Sequence, residues 1–436
     1  MGVKIKFYKI VNLFIATAII GVAISYSKLY LFHIVLLITI FSFFYVRVRN
    51  NKLYIEKLHT RLHWIFYLMF FWYSLSLIWS HNKTYSLMYL FYIFCGVSIV
   101  LVIIYHAVTL DNLRRIFKVM TILFLIEIIL SLLESFNILR LPVSPYSKYV
   151  EYFGRNTALT PDLPVRLQNL FSHTATGFNW NPNDLAIVMN VILPFFLFSK
   201  KNGLKIVGVI SIFLIILSTD SRGNVVAFFL IVAIYLFFLN KYKWLSRIIS
   251  SIIILIVLFF GLNLSKLTSV QIAGSFKSIE IFFSTKVKEK NSLGERQRYI
   301  LNGLEALKNT YGLGVGAGNH GNAEYQKDIA GKSPQISMHN FWIEILVDAG
   351  IPFALFFYAW YVYVIIMLFK VFKRSYPNSI INYYSKASAL SLCGFFVGAV
   401  SASSVIYDLP MWILFGFSIA VINISRNNSL DDQLQV

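Results

Sequence analysis

Apolar residues in this chain come in long, almost uninterrupted blocks, and the blocks recur from end to end. Twelve can be marked: Tyr8–Tyr26, Leu29–Val46, His63–Trp79, Tyr85–Tyr105, Ile116–Glu134, Asp184–Phe198, Leu204–Thr219, Asn224–Leu239, Leu245–Leu264, Ile351–Phe369, Ala387–Ala402 and Pro410–Ile424. A helix needs roughly 20 such residues to cross the hydrocarbon of a bilayer. Charged residues make up only 13% against 58% hydrophobic, too few to cover a surface in water. The expectation is an all-α polytopic membrane protein with about twelve transmembrane helices and a large extracytoplasmic loop. The first block shows no small-residue cleavage site and reads as a span. Cys95 and Cys393 both fall inside apolar blocks, so they read as core thiols and say nothing of redox compartment.

Lys and Arg set the orientation. With the N-terminus inside, 22 of the 39 fall on inner segments, and the short outer loops keep only Lys28, Lys83 and Arg222. Both termini are therefore expected in the cytoplasm. The net charge of +20 reads as topology plus an anionic ligand rather than nucleic acid, because a helical bundle in lipid offers duplex DNA no basic groove. Five units follow: residues 1–135, with spans one to five; 136–183, a first outer loop; 184–264, with spans six to nine; 265–350, a large outer loop carrying the chemistry; and 351–436, with the last three spans and a cytoplasmic tail. The second loop holds ten basic residues, more than its acids, and suits an anionic substrate.

The polar stretch from Leu293 to Gly350 is where chemistry concentrates. Arg296 and Arg298 open a segment with apolar residues at Ile300, Leu301, Leu304 and Leu307, the spacing of an amphipathic helix. An arginine fork fits phosphate oxygens; the plainer reading is a helix end touching lipid phosphates. Arg222, in Thr219-Asp220-Ser221-Arg222-Gly223, sits between two spans with almost no loop, where a charge faces protein or water, or snorkels. His339 and Asn340 open a helix stopped by Gly350 and Pro352. A histidine there can accept a hydroxyl proton near neutral pH, or it can simply belong to a helix start. Gly316-Ala-Gly318-Asn-His-Gly321 matches a dinucleotide fingerprint, but no strand–helix unit surrounds it, so a tight turn is expected. Asn181 and Pro182 suit the start of the sixth span. Glu127 and Glu134, seven apart on the fifth, read equally as a buried polar seam or a proton path. No metal-ligand spacing occurs in the outer loops, and no metal is expected.

Together these pieces resemble the O-antigen ligase and Wzy-type polysaccharide polymerase superfamily. The resemblance rests on Ser221-Arg222-Gly223 opening a span, Glu295-Arg296 before an amphipathic helix, Gly312-Leu-Gly-Val-Gly-Ala-Gly318-Asn, His339-Asn340 followed by Asp348-Ala-Gly350, and Asn181-Pro-Asn183. It covers roughly Asn179 to Pro352. One position departs: the family often has Trp four residues after the loop arginine, where this chain has Ile300, so Arg296 and Arg298 both stay open, with Arg296 preferred. The resemblance implies a GT-C-like glycosyltransferase at the outer face of the bacterial cytoplasmic membrane. It implies a glycan donor on undecaprenyl diphosphate and no cofactor. Arg222 and Arg296 would clamp the diphosphate and His339 would take the acceptor proton. Arg298, Asn340, Asn181, Asn183, Gly316 and Gly318 would contact substrate. Implied partners are the lipid-linked oligosaccharide, membrane lipid, a flippase and a chain-length regulator. A polymerase is expected ahead of a ligase that moves glycan to lipid A-core, and a flippase or other transporter ranks below both.

Overall fold

A computed structural model describes residues 7–49, 60–160, 163–238, 292–322, 337–402 and 404–434. Among them are thirteen α-helices: α1 (Phe7–Ile20), α2 (Leu31–Arg49), α3 (Trp64–Leu75), α4 (Lys83–His106), α5 (Leu110–Ser135), α6 (Val165–His173), α7 (Pro182–Leu197), α8 (Asn202–Ser218), α9 (Arg222–Phe238), α10 (Ser292–Asn309), α11 (Phe341–Arg374), α12 (Ile380–Gly398) and α13 (Leu409–Leu434). Eleven of the twelve expected spans coincide with a helix, while the ninth, Leu245–Leu264, lies outside the described residues, as does much of the large outer loop. Four helices are long and apolar enough to cross a bilayer: α4, α5, α11 and α13 up to Arg426. Six shorter apolar helices accompany them, on α1, α2, α3, α7, α8 and α9. Large side chains such as Phe41, Phe71, Ile78 and Leu37 stand outward. Apolar surface on that scale is not kept by a protein in water, and the chain is a membrane-embedded, polytopic helical protein.

The helices begin where side chains cap them. Asn82, Thr109, Asn181, Asn340 and Ser379 each accept a hydrogen bond from the first turn of α4, α5, α7, α11 and α12 respectively, satisfying donors that a helix start leaves orphaned. One expectation needs correction. The first span does not run to Tyr26: α1 ends at Ile20, and Ser25–Tyr26 pairs with Leu29–Tyr30 in a two-stranded hairpin (β1 and β2). Gly21 (φ 46°) and Ser27 (φ 51°) turn the chain out of the helix, a path that runs of bulky residues alone do not reveal. Among the described residues the fold is otherwise all-helical.

Helix α12 is central, packing on α7, α9, α11 and α13. Small residues recur among its buried positions, Ser385, Ala387, Ser388, Ala389 and Ser391, beside Tyr384, Leu390, Leu392 and Phe395. Small residues let backbones approach where lipid gives no hydrophobic drive, and Ser391 Oγ donates to the Val191 carbonyl of α7 at 2.6 Å. Elsewhere, Gly96 on α4 receives the Trp412 indole of α13 at a point where any side chain would collide.

Candidate functional site

The site is assembled at the end of α12. Just past that helix, the Ala399 carbonyl accepts the Phe341 amide at 3.1 Å and so fixes the start of α11. Two residues on, Ser401 Oγ accepts from Asn224 Nδ2 at 2.8 Å and lies 3.4 Å from Ser221 Oγ, fixing the start of α9. Gly223 passes close to Ser401, where a Cβ would lie 3.2 Å from the serine's own. Asn190 of α7 completes the knot, donating to Asn224 Oδ1 at 3.0 Å and to its carbonyl at 2.9 Å. Arg222, the first residue of α9, and His339, two residues before α11, are thus held by one corner.

Helix α10 adds the third group. Gly303 and Ala306 pack on Met338 and Val347, and Arg296 lies two turns back from Gly303 on the same face. Burial, and after it the positive charge of Arg222, pushes the Arg296 guanidinium below its usual range. Burial, and after it Arg296, pushes the His339 imidazole down to about 4. Each group therefore feels the next. Arg298, two positions along α10, faces roughly 200° away and is half-buried. His339 holds a left-handed backbone (φ 49°), uncommon for a non-glycine residue and costly. Its Nδ1 is buried with no hydrogen-bond partner among the described residues.

The glycine run is the second construction. Gly312, Gly314, Gly316 and Gly318 all have φ between 66° and 92°. They wrap a break in α11 at Gly350 (φ 80°, ψ 170°), with Pro352 just beyond. Such a break orphans carbonyls, and the turn answers them. Val315 N donates to Val347 O at 2.9 Å, Gly316 N to Asp348 O at 3.0 Å, and Gly312 O accepts Ile351 N at 2.8 Å. Trp72 Nε1 reaches Ala349 O at 2.7 Å and Trp79 Nε1 reaches Gly314 O at 3.0 Å. A Cβ on Gly314 would lie 2.5 Å from Asp348 O. This is a tight turn, as its sequence suggests. The Gly316 and Gly318 amides are committed to Asp348, because a buried helix break needs its polar groups paired.

Inside the turn lies a cluster the sequence did not advertise. The Asp348 carboxylate accepts Gly318 N and His320 N at 3.0 Å each and pairs with His320 Nδ1 at 2.9 Å. One turn up α11, Glu344 accepts from Tyr89 Oη and from Ser404 Oγ at 2.6 Å. Burial lowers the His320 pKa, but Asp348 and Glu344 raise it further, to about 9. His320, Glu344 and Asp348 lie close enough to share a cation, a composition absent from any linear spacing. Asp348 and His320 serve the turn, while Glu344 bonds Tyr89 and Ser404 and keeps its Oε2 without a hydrogen-bond partner among the described residues; the trio reads as a buried ionic clasp. The sequence traces were a histidine inside a glycine run and a polar stripe of Asn340, Glu344 and Asp348 at four-residue spacing, with nothing local to join them.

The remaining candidates are placed as follows. Asn181 caps α7, accepting Asn183 N at 2.8 Å and Asn183 Nδ2 at 3.2 Å. Asn340 Oδ1 caps α11 through Trp342 N and Ile343 N at 3.2 and 3.3 Å. Glu134 accepts Thr176 N and Gly177 N at 2.7 and 2.8 Å, and Glu127 accepts Asn179 Nδ2 at 2.9 Å. These acids anchor the end of the loop between α5 and α7, a buried seam. That loop also contains α6, whose last carbonyls at Phe171 and Ser172 receive Arg140.

Residues 207–358 match the family described as Wzy_C, O-Antigen ligase, a segment that carries Arg222, Arg296, the glycine turn and His339. Over that segment the chain is similar to the O-antigen ligase family, in keeping with the resemblance its motifs carry. It is also 22% identical over 433 residues to the teichuronic acid biosynthesis protein TuaE of Bacillus subtilis (strain 168), covering 95% of this chain and 83% of that one. These likenesses support, at a coarse level, a membrane protein of the polysaccharide polymerase or ligase kind.

Proposed function

We propose that the protein is a polysaccharide polymerase, transferring a glycan from undecaprenyl diphosphate to a sugar hydroxyl at the outer face of the cytoplasmic membrane. The observation that carries this is the convergence of Arg222, Arg296 and His339 from α9, α10 and the start of α11, close enough for each charge to displace the next group's proton affinity. Bringing two cations together costs energy that an anion between them returns. A lipid diphosphate is such an anion, and its charge grows as it leaves. A histidine kept neutral beside it is able to accept the acceptor's proton. Energy comes with the diphosphate bond, so no nucleotide or metal is called for. Teichuronic acid biosynthesis in the relative supports a role in building an envelope glycan.

The finer architecture belongs to the same proposal. It has twelve spans in a GT-C-like arrangement, the five units bounded at 135, 183, 264 and 350, cytoplasmic termini, and a flippase and chain-length regulator as partners. Arg298, Asn181, Asn183 and Asn340 stand near substrate in it. The second reading, a ligase, is favoured by the family's own description. Purified protein given lipid-linked repeat alone separates them: a polymerase lengthens the glycan on its carrier, whereas a ligase waits for a second acceptor. In cells, Arg222→Lys should cut polymer formation about ten- to a hundredfold, because a point charge replaces a charge-assisted fork. Gel ladders of wild-type length at matched membrane levels would overturn the role of Arg222.

A further inference from the structure

A cavity of about 570 Å³ opens between α1, the β1–β2 hairpin, α4, the first outer loop and the start of α13. None of Arg222, Arg296 and His339 lines it, but it adjoins them through one loop. Ser401 holds the start of α9, while Ser404 and Asp408, farther along the same loop, are in the cavity wall. Its volume lies in the range of small-ligand sites.

Its walls are of two kinds. Trp180, Tyr30 and Tyr407 bring aromatic rings, and Arg155 stacks over Trp180 with its guanidinium carbon 4.6 Å from the ring centre. The Arg155 fork is tied to Ser27 O at 2.5 Å and Ser25 Oγ at 3.2 Å, which holds the indole in place. The other kind is acceptor-rich: Asn179, Asp184 and Asp408. Asp408 is only 7% exposed, and its Oδ1 is buried with no hydrogen-bond partner among the described residues. Burial, then Asp184, then Glu127 pushes its carboxyl well above the usual range, so three carboxyl groups crowd one end. An acid just before α13 suits the helix dipole, but that does not explain an oxygen left unpaired or a wall of fixed rings.

Few ligands want both walls. An inorganic anion finds Lys28 and Arg155 in the wall, but it meets Asp184 and Asp408 as well and makes no use of the rings. A lipid tail strands Asp408 and Asn179 in hydrocarbon, at a cost. A pyranose ring has apolar C–H faces for the rings and hydroxyl donors for the acids. We propose that this cavity is a saccharide subsite, with Trp180 as its stacking platform and Asp408 as its hydroxyl acceptor, seating glycan residues while the arginine–histidine corner holds the reacting end. This rests on the transferase reading above.

The test uses purified full-length protein and, as probe, the glycan repeat freed by mild acid from the host's lipid-linked pool, which lacks the diphosphate. Calorimetry should show binding to wild type and to Arg222→Lys alike. Trp180→Ala and Asp408→Asn should weaken it about tenfold or more, with Trp180→Phe restoring most of it. In turnover of the lipid-linked repeat, Trp180→Ala and Asp408→Asn should raise KM with kcat nearly unchanged, and Trp180→Phe should keep KM near that of wild type. No binding to wild type, or equal binding to all variants, overturns the subsite. Trp180-dependent binding without any turnover of lipid-linked repeat keeps the subsite and overturns the transferase.

Discussion

His339 shows how far a residue's surroundings can move its chemistry. A free imidazole titrates near 6.5; here burial and Arg296 bring it to about 4. A base works only while neutral, so kcat/KM should stay level through neutral pH and fall only as pH approaches about 4. Donor bound at Arg296 supplies negative charge that offsets the repulsion, so the fall in kcat should lie at higher pH. Profiles of both against pH check this, and a kcat/KM midpoint near 6.5 would contradict it. His339→Ala should lose about 10²–10⁴-fold in rate with donor binding little changed. His320 shifts the other way, to about 9. Its folded pKa is raised, so its contribution to stability is whole below about 6.5 and is lost as pH rises through about 9. Melting temperature in detergent should decline over that window in wild type. The decline should be smaller in His320→Ala, which itself should lose about 3–5 kcal/mol by leaving the buried Asp348 carboxylate without its counter-charge.

At the scale of elements, the broken helix α11 and the glycine turn are one device. The break frees carbonyls at Val347, Asp348 and Ala349, and the turn with Trp72 pairs all three. Gly314→Ala would place a methyl at φ 89°, 2.5 Å from Asp348 O. The strain alone is about 1–3 kcal/mol, so the variant should melt lower and accumulate less in membranes; a melting curve equal to wild type would show that the turn is not needed to hold the break. The sequence declared the break through Gly350 and Pro352, and declared the turn through its alternating glycines. It did not declare that the two meet. Nothing local couples residue 314 to residue 348 except their shared need for hydrogen-bond partners.

For the whole molecule, orientation is the open physical question that charge alone addresses. Single cysteines in a background lacking Cys95 and Cys393 can report it. Tyr152→Cys and Tyr311→Cys, at positions 81% and 96% exposed, should react with an impermeant thiol reagent in intact cells. Tyr376→Cys, between α11 and α12, should react only after permeabilisation. The reverse pattern would invert the topology. Membrane embedding, eleven helices, the caps at Asn181 and the His339-Asn340 helix start were legible in the sequence because hydrophobic length and capping are local properties. The corner at Ala399–Ser401, the ionic clasp around His320 and the wall formed by Trp180 and Asp408 were not. Each joins residues tens to hundreds of positions apart, and only the packing of the helices and loops against one another decides which of them share a space. The sequence by itself determined what kind of helix each segment could be; the tertiary structure decided which charges face one another, because electrostatics acts through distance in space and not along the chain.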